Sequence, residues 1–486
     1  MIDLSTHEDR LAQNVVRARE RGILIPTFEQ MIDPSKIPAT IREKLREVGL
    51  WDVNPLNLFR VTWHNDPKAK GGGFGGVNFM EIPREITGVQ ARIFGLVGKW
   101  FPTGAHKVGA AIACLAPRLV TGQFDASQQR AVWPSTGNYC RGGAYVSALL
   151  ACESIAILPE EMSRERFEWL ATVAGEVIAT PGCESNVKEI YDKCWELRKT
   201  RGDDIMIFNQ FDEFGNYLWH HEVTGRAIEE VLGQVMGPRD RFAGVFSSTG
   251  SAGTIACGDY LKRIFPASKI AAGEALQCPT LLENGFGGHR IEGIGDKHVP
   301  WIHNVRNTDL IIAIDDEATV RAMRVFNEPV GREHLKKCGA DPAVVDQLGL
   351  LGISGIGNLL GAVKMAKWYE LDERDVVVTI LTDSMELYGS RIAELREELG
   401  EYTATDAAVD HQRWLLGQGT DNMLELRHSD RRRIHNLKYF TWIEQQGREL
   451  DELNAQWEDR DYWDNIVALR GELDRRIEEF NARVNA

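Results

Sequence analysis

The chain has 486 residues, 71 acidic against 56 basic, and a formal charge of −15 at pH 7. With 43% hydrophobic and 26% charged residues it is not disordered throughout, and its acidic balance speaks against general nucleic-acid binding or docking on anionic lipid. At roughly 150 residues per domain the length suits about three domains, or one large α/β unit with extensions.

The opening residues Met1–Arg10 lack a basic stretch followed by an apolar one. No apolar run of about 18 residues follows anywhere, so a cytoplasmic protein without a transmembrane helix is expected. Residues 1–89 read as an N-terminal extension, irregular to about residue 85, with helical pieces near 7–22 and 36–48. The cluster Gly71–Gly76 has no strand before it and no clear helix after it, which makes it a loop rather than a phosphate cradle.

From about 90 to 390, short β-rich runs alternate with helical stretches. The expected strands are 91–97, 131–134, 154–158, 176–179, 205–208, 242–247, 310–314 and 376–381. The expected helices are 105–120, 139–150, 163–173, 184–200, 222–235, 253–264, 316–326, 355–369 and 388–399. This alternation predicts an α/β fold with parallel-rich sheets covered by helices. Ligands in such folds sit beyond the carboxyl ends of the strands. Residues 400–486 are denser in charge and read as a C-terminal helical extension, with long helices at 438–457 and 461–482.

Four strand-to-helix junctions carry candidate chemistry. Phe101-Pro-Thr-Gly-Ala-His-Lys107 sets a lysine at a helix start, where the positive helix end disfavours its ammonium form and so favours a free amine. Ser135-Thr136-Gly137-Asn138-Tyr139 offers hydroxyls and backbone N–H groups to a carboxylate, or simply caps a helix. Gly250-Ser251-Ala252-Gly253-Thr254 suits a phosphate; it lacks the Gly-Lys-Ser/Thr of a P-loop, and a dinucleotide turn is the other reading. Asp383-Ser384 ends a buried strand. Glycine turns at Glu292-Gly293-Ile294-Gly295 and Gly352-Ile353-Ser354-Gly355 belong with them.

Taken together and in this order, these segments resemble the fold-type II pyridoxal-phosphate enzymes, nearest the cysteine synthase and cystathionine β-synthase branch. The resemblance covers roughly residues 90–395. It implies a tryptophan synthase β-like two-domain fold, with a large cofactor-binding domain at 90–139 and 246–399 and a small mobile domain at 140–245. It implies pyridoxal 5′-phosphate on Lys107, with Asn138, Gly250, Ser251, Ala252, Gly253, Thr254 and Ser384 as further cofactor contacts. Ser384 would face the pyridine nitrogen and Asn138 the ring oxygen. Ser135, Thr136, Gly137, Tyr139 and Gly293 would meet the substrate. The implied reaction is β-elimination or β-replacement on a serine- or cysteine-type amino acid through an aminoacrylate, in a homodimer. A threonine synthase or dehydratase reaction and a non-catalytic binding protein are the alternatives. Thr103-Gly-Ala-His-Lys107 looks more like the lysine loop of tryptophan synthase β, and Ala252 and Tyr139 replace the family's usual glycine and threonine.

The other polar residues read as structural. His220 and His221 lie beside Trp219 and suit packing, and His289, His298 and His303 lack zinc spacing, so no metal is expected. The eight cysteines form no CxxC pair and read as reduced, buried small side chains, with Cys140 notable for adjoining the 135–139 loop.

Overall fold

The structure, a computed structural model, describes residues 2–67, 72–135, 137–183 and 186–486. Gly71 and Thr136, both singled out above, lie outside the described residues.

The strands are β1 (Phe79–Ile82), β2 (Arg92–Val97), β3 (Arg130–Pro134), β4 (Ser154–Pro159), β5 (Glu176–Thr180), β6 (Ile205–Ile207), β7 (Arg241–Ser248), β8 (Lys269–Ala275), β9 (Leu310–Ile314), β10 (Asp375–Leu381) and β11 (Met423–Glu425). They form a seven-stranded sheet ordered β1-β2-β10-β7-β8-β9-β11 and a four-stranded sheet ordered β5-β4-β3-β6. The small sheet is parallel throughout. The large one is parallel except for its edges, β1 and β11. β9 and β10 are buried along their whole length, which explains the unbroken apolar sequence of β9 and the run Val376–Val378 in β10. β3, within the 90–139 stretch read above as part of the large domain, pairs in the small sheet.

All eight expected strands are present, and β1, β8 and β11 join them. β8 reads Lys-Ile-Ala-Ala-Gly-Glu-Ala, without the bulky side chains that mark strands. Its smallness has a packing cause: a Cβ on Gly273 would overlap the Phe246 ring, and so would one on Gly361 in the covering helix Ile353–Trp368. Phe246 thus fills a slot that two glycines leave open.

The helix expected over 222–235 begins earlier, at Phe214, and passes through a wide turn at His220–Thr224 before continuing over Gly225–Val235. The single helix expected over 438–457 is instead a wide turn at Tyr439–Gln445 and a helix at Leu450–Glu458. Gly447 separates them in the left-handed conformation that ends helices.

The two terminal extensions pack on each other and on the body. Asn481 on the last helix, Tyr462–Asn485, exchanges two hydrogen bonds with the Ile25 backbone at 3.0 and 2.7 Å. Asp474 accepts from the Phe28 N–H at 2.6 Å. Lys438, fully buried, donates to the carbonyls of Trp301 and His303 and to Gln456. The buried Trp442 donates to the Val299 carbonyl. Among the described residues no helix is long and apolar enough to cross a membrane.

Candidate active site

β2 leads through a tight turn to the helix Lys107–Val120, which begins at the candidate lysine itself. The turn needs left-handed backbone at Thr103 (φ 69°) and Gly104 (φ 72°), and Thr103 is a non-glycine residue in that region. Lys107 Nζ donates to Ser251 Oγ at 3.2 Å and to Gln210 Oε1 at 3.4 Å. Gln210 Nε2 in turn donates to Ser135 Oγ at 3.2 Å, so one glutamine joins the lysine to the 135–139 loop. His106, next in chain, is buried with both ring nitrogens unpartnered, between the rings of Trp63 and His220. Burial and the neighbouring Lys107 hold its pKa well below the ordinary value, which keeps it neutral.

A narrow cavity opens at Lys107. It is lined by Ser247, Ser248, the 250–252 stretch, Thr254, Gly293, Ser354, Asn358 and Thr382, among others. The loop after β7 wraps one end of it. Ala252 there has φ 61°, a left-handed conformation that costs an alanine roughly 1–2 kcal/mol and a glycine almost nothing. A Cβ on Gly253 would overlap Asn216 Oδ1, while Asn216 Nδ2 donates to Ser251 Oγ at 2.9 Å. Ser247 and Thr254 hydroxyls meet at 2.6 Å. Asn358 accepts from the Ser248 N–H and donates to the Ile380 carbonyl, tying this loop to β10. Ser248 Oγ and Ser354 Oγ are buried at the cavity without hydrogen-bond partners. Unpartnered hydroxyls over a glycine-rich turn are what a phosphate with a polar ring requires, so the residues fit pyridoxal phosphate.

The 135–139 loop is held by charge from distant segments. A Cβ on Gly137 would overlap the Arg166 guanidinium, so only glycine lets the loop pass. Arg166, fully buried, pairs with Glu292 (NH1 to Oε2, 3.1 Å) and donates to the Tyr388 hydroxyl at 2.8 Å. Tyr388 donates to Asp383 Oδ2 at 2.7 Å, and Asn138 Nδ2 donates to the same oxygen at 2.5 Å. Arg391 completes the cluster on Glu292 at 2.5 Å. Burial raises the Asp383 pKa against the pull of Tyr388, Arg166, Asn138 and Arg141. Arg141 lies buried over the rings of Trp169 and Trp51, and burial with Arg166 nearby brings it down to about 10, still charged at neutral pH. Beside the lysine cavity a wider cleft of about 420 Å³ is lined by Met162, His289, Glu292, Ile353 and Arg391.

The structure therefore gathers Lys107, the loop at 250–254 and Gly293 around one cavity, with Ser135 one glutamine away. Asn138 and Ser384 are buried but do not line it, and Thr382, two residues before Ser384, does. Tyr139 turns its ring inward against Trp133. Ser248, Asn358 and Thr382 were not singled out as cavity residues from the sequence, and Ser354 only as part of a glycine turn; Ser248 ends β7, Thr382 follows β10 and Ser354 stands at a helix start, whereas Asn358 lies inside the helix Ile353–Trp368, where no such signal marks it. Of the histidines, His298 meets Tyr191 and His303 meets Thr308, so they serve separate contacts. His220 and His221 are buried among aromatic rings, as expected. Six of the eight cysteines are buried; Cys183 is half-buried and Cys338 exposed, contrary to the uniform burial expected.

Comparison with known proteins gives this site a family. Residues 99–340 match the family described as pyridoxal-phosphate dependent enzyme. The chain is 29% identical over 260 residues to a cysteine synthase of Staphylococcus aureus, covering 53% of this chain and 74% of that one. It is 24% identical over 324 residues to the cystathionine beta-synthase of Saccharomyces cerevisiae, covering 65% of this chain and 60% of that one. Among solved structures, a hydrogen sulfide-producing enzyme from Fusobacterium nucleatum superposes with a TM-score of 0.55 at 22% identity, over 72% of this chain and 95% of that one. A cysteine synthase from Entamoeba histolytica gives 0.56 at 19% identity, over 70% and 93%. These two likenesses establish the fold, and the family match spans both Lys107 and the 250–254 loop: the chain belongs to the pyridoxal-phosphate dependent enzymes.

Proposed function

We propose that the protein catalyses β-elimination or β-replacement on a serine- or cysteine-type amino acid. The observation that carries this is the Lys107 amine, set between a phosphate-suited loop and, through Gln210, the Ser135 loop. Relatives named cysteine synthase and cystathionine beta-synthase support it. The 250–254 loop with Ser248 would hold the cofactor phosphate, Lys107 would carry the cofactor, and Thr382 and Ser354 would face its ring. Bound there, pyridoxal phosphate would supply an electron sink for the substrate Cα.

The chain's own residues do the rest. Lys107 Nζ would be the base for the α-proton. Ser135 and the backbone at Gly137 would orient the substrate carboxylate, with Gln210 fixing their spacing from the lysine. Among the described residues no carboxylate lines the cavity, whose hydroxyls are neutral, so nothing there holds an extra proton on the bound ring. A mild electron sink suits expulsion of a β-substituent. The cleft at Met162 and Glu292 would admit the second reactant. The reading includes a homodimer and a small mobile domain built on the four-stranded sheet, both supported by family resemblance, and a cytoplasmic location, supported by the sequence pattern.

Spectroscopy tests it. Incubation with pyridoxal phosphate should give a visible absorption band in the wild type and none in Lys107→Ala. Serine, cysteine, O-acetylserine and threonine are then offered singly. Turnover of threonine alone overturns the β-replacement reading.

A further inference from the structure

Far in sequence from Lys107, three side chains converge where the C-terminal extension meets the body. His334 and Cys338 lie one helical turn apart at the end of the helix Pro329–Lys337. His411 opens the wide turn His411–Leu416, which continues the helix Ala404–Asp410. Wide turns of this type interrupt α-helices and frequently mark functional positions. His334 Nε2 is 3.2 Å from His411 Nδ1 and 3.4 Å from Cys338 Sγ. Among the described residues this is the one trio of histidine, cysteine or acidic donors close enough to share an ion, all three donor atoms lying within 4.8 Å of one another.

The separations decide the chemistry. Tetrahedral zinc with bonds of about 2.0–2.1 Å to nitrogen and about 2.3 Å to sulfur sets its ligand atoms about 3.3 Å apart for two nitrogens and about 3.6 Å apart for nitrogen and sulfur. The observed 3.2 and 3.4 Å are close to both. Two imidazoles and a thiolate are a borderline-soft donor set, which favours zinc over magnesium or calcium. His411 is buried, against the backbone of Glu85 and Ile86. Cys338 is exposed, so a fourth position faces solvent and would take water.

We propose that His334, Cys338 and His411 form a zinc site that fastens the 404–416 segment to the helix 329–337. The helix supplies two ligands in a His-x-x-x-Cys spacing and the extension supplies the third. The site is separate from the Lys107 cavity and does not rest on the reaction assigned to it.

The test uses the cofactor-loaded protein after dialysis against a chelator, titrated with Co²⁺ as a spectroscopic stand-in for Zn²⁺. One equivalent should produce thiolate-to-cobalt charge transfer, together with d–d bands to the red of the cofactor. Cys338→Ser, at an exposed position that the fold tolerates, should abolish the charge-transfer band and weaken binding more than about tenfold. His411→Gln should weaken binding similarly, with circular dichroism and cofactor content confirming its fold. Zn²⁺ should also slow alkylation of Cys338 in the wild type. A wild type without the charge-transfer band, binding unchanged in Cys338→Ser, or alkylation indifferent to Zn²⁺ overturns the proposal.

Discussion

The loops at 250–254 and 135–139 both turn a strand into a helix near Lys107, yet they are held in opposite ways. The first is fixed by backbone shape, small residues and neutral partners: Asn216, Asn358 and the paired hydroxyls of Ser247 and Thr254. The second passes over a buried guanidinium and is anchored by Asp383, Tyr388 and Glu292 from distant parts of the chain. A neutral cradle suits a group that stays, because its geometry does not change with protonation. A charged anchor spanning separate segments suits a loop whose position must be set by tertiary contact, and it makes that loop sensitive to single charges.

The largest expected effect comes from breaking the charged anchor. Arg166→Leu removes one partner of a buried ion pair, a change that typically costs 3–5 kcal/mol. Arg391 stays on Glu292, which places the expected loss near about 3 kcal/mol, measured by denaturant unfolding. A loss below about 1 kcal/mol would contradict the anchoring role. Gly137→Ala leaves the ions in place and pushes a methyl group into the guanidinium. The loop must shift, and displacement of a positioning element by about 1 Å costs on the order of 10²-fold in turnover. kcat/KM should fall by that order with the cofactor band unchanged, since the cradle is untouched.

Much of this body is legible in the sequence because local pattern decides it. β9 is a continuous apolar run and β10 is apolar but for Asp375 and Thr379, and Lys107 and Gly250 stand at strand-to-helix junctions. β8 escapes because its alanines and glycine answer to Phe246, a packing partner from another strand. Arg166, Glu292 and Arg391 escape as a unit because no spacing marks contacts between residues about a hundred positions apart or more. Asn138 belongs to a motif that is visible, but its side chain is held by Asp383, 245 positions away, a pairing that motif reading does not show. The extensions are legible as helices and not as a clamp, since the Asn481–Ile25 and Asp474–Phe28 contacts join opposite ends of the chain.

The comparison also has a pH signature. The buried Asp383 has its pKa raised in the fold, chiefly by burial. A carboxyl whose folded value lies above its unfolded value favours folding while protonated and loses that contribution as pH rises through the folded value. Asp383→Asn removes this dependence and keeps an oxygen to accept from Asn138 and Tyr388. Relative to wild type, the variant should therefore gain stability as pH rises above about 4, followed by thermal unfolding from pH 4 to 8. A difference that is flat with pH, or that runs the other way, would show that the anchor's protonation does not matter. No ionisable side chain stands in the 250–254 loop, so variants there should show no such slope.

The smallest effect sharpens the neutral side. Ala252 is buried in a left-handed conformation that its Cβ disfavours, in a loop otherwise made of glycine and small hydroxyl residues. Ala252→Gly relieves that strain, roughly 1–2 kcal/mol, and gives part of it back because glycine has more freedom to lose on folding, by about 0.5–1 kcal/mol. The net expectation is a gain of about 0.5–1 kcal/mol in stability, with cofactor affinity equal or tighter, measured by unfolding and by titration of the visible band. If the variant instead loses both, the alanine methyl is a packing element of the cradle, and the 250–254 loop is held by side-chain contacts as the 135–139 loop is. If it gains, the two loops differ as argued: one set by its own backbone and small residues, the other by buried charge brought from elsewhere in the chain.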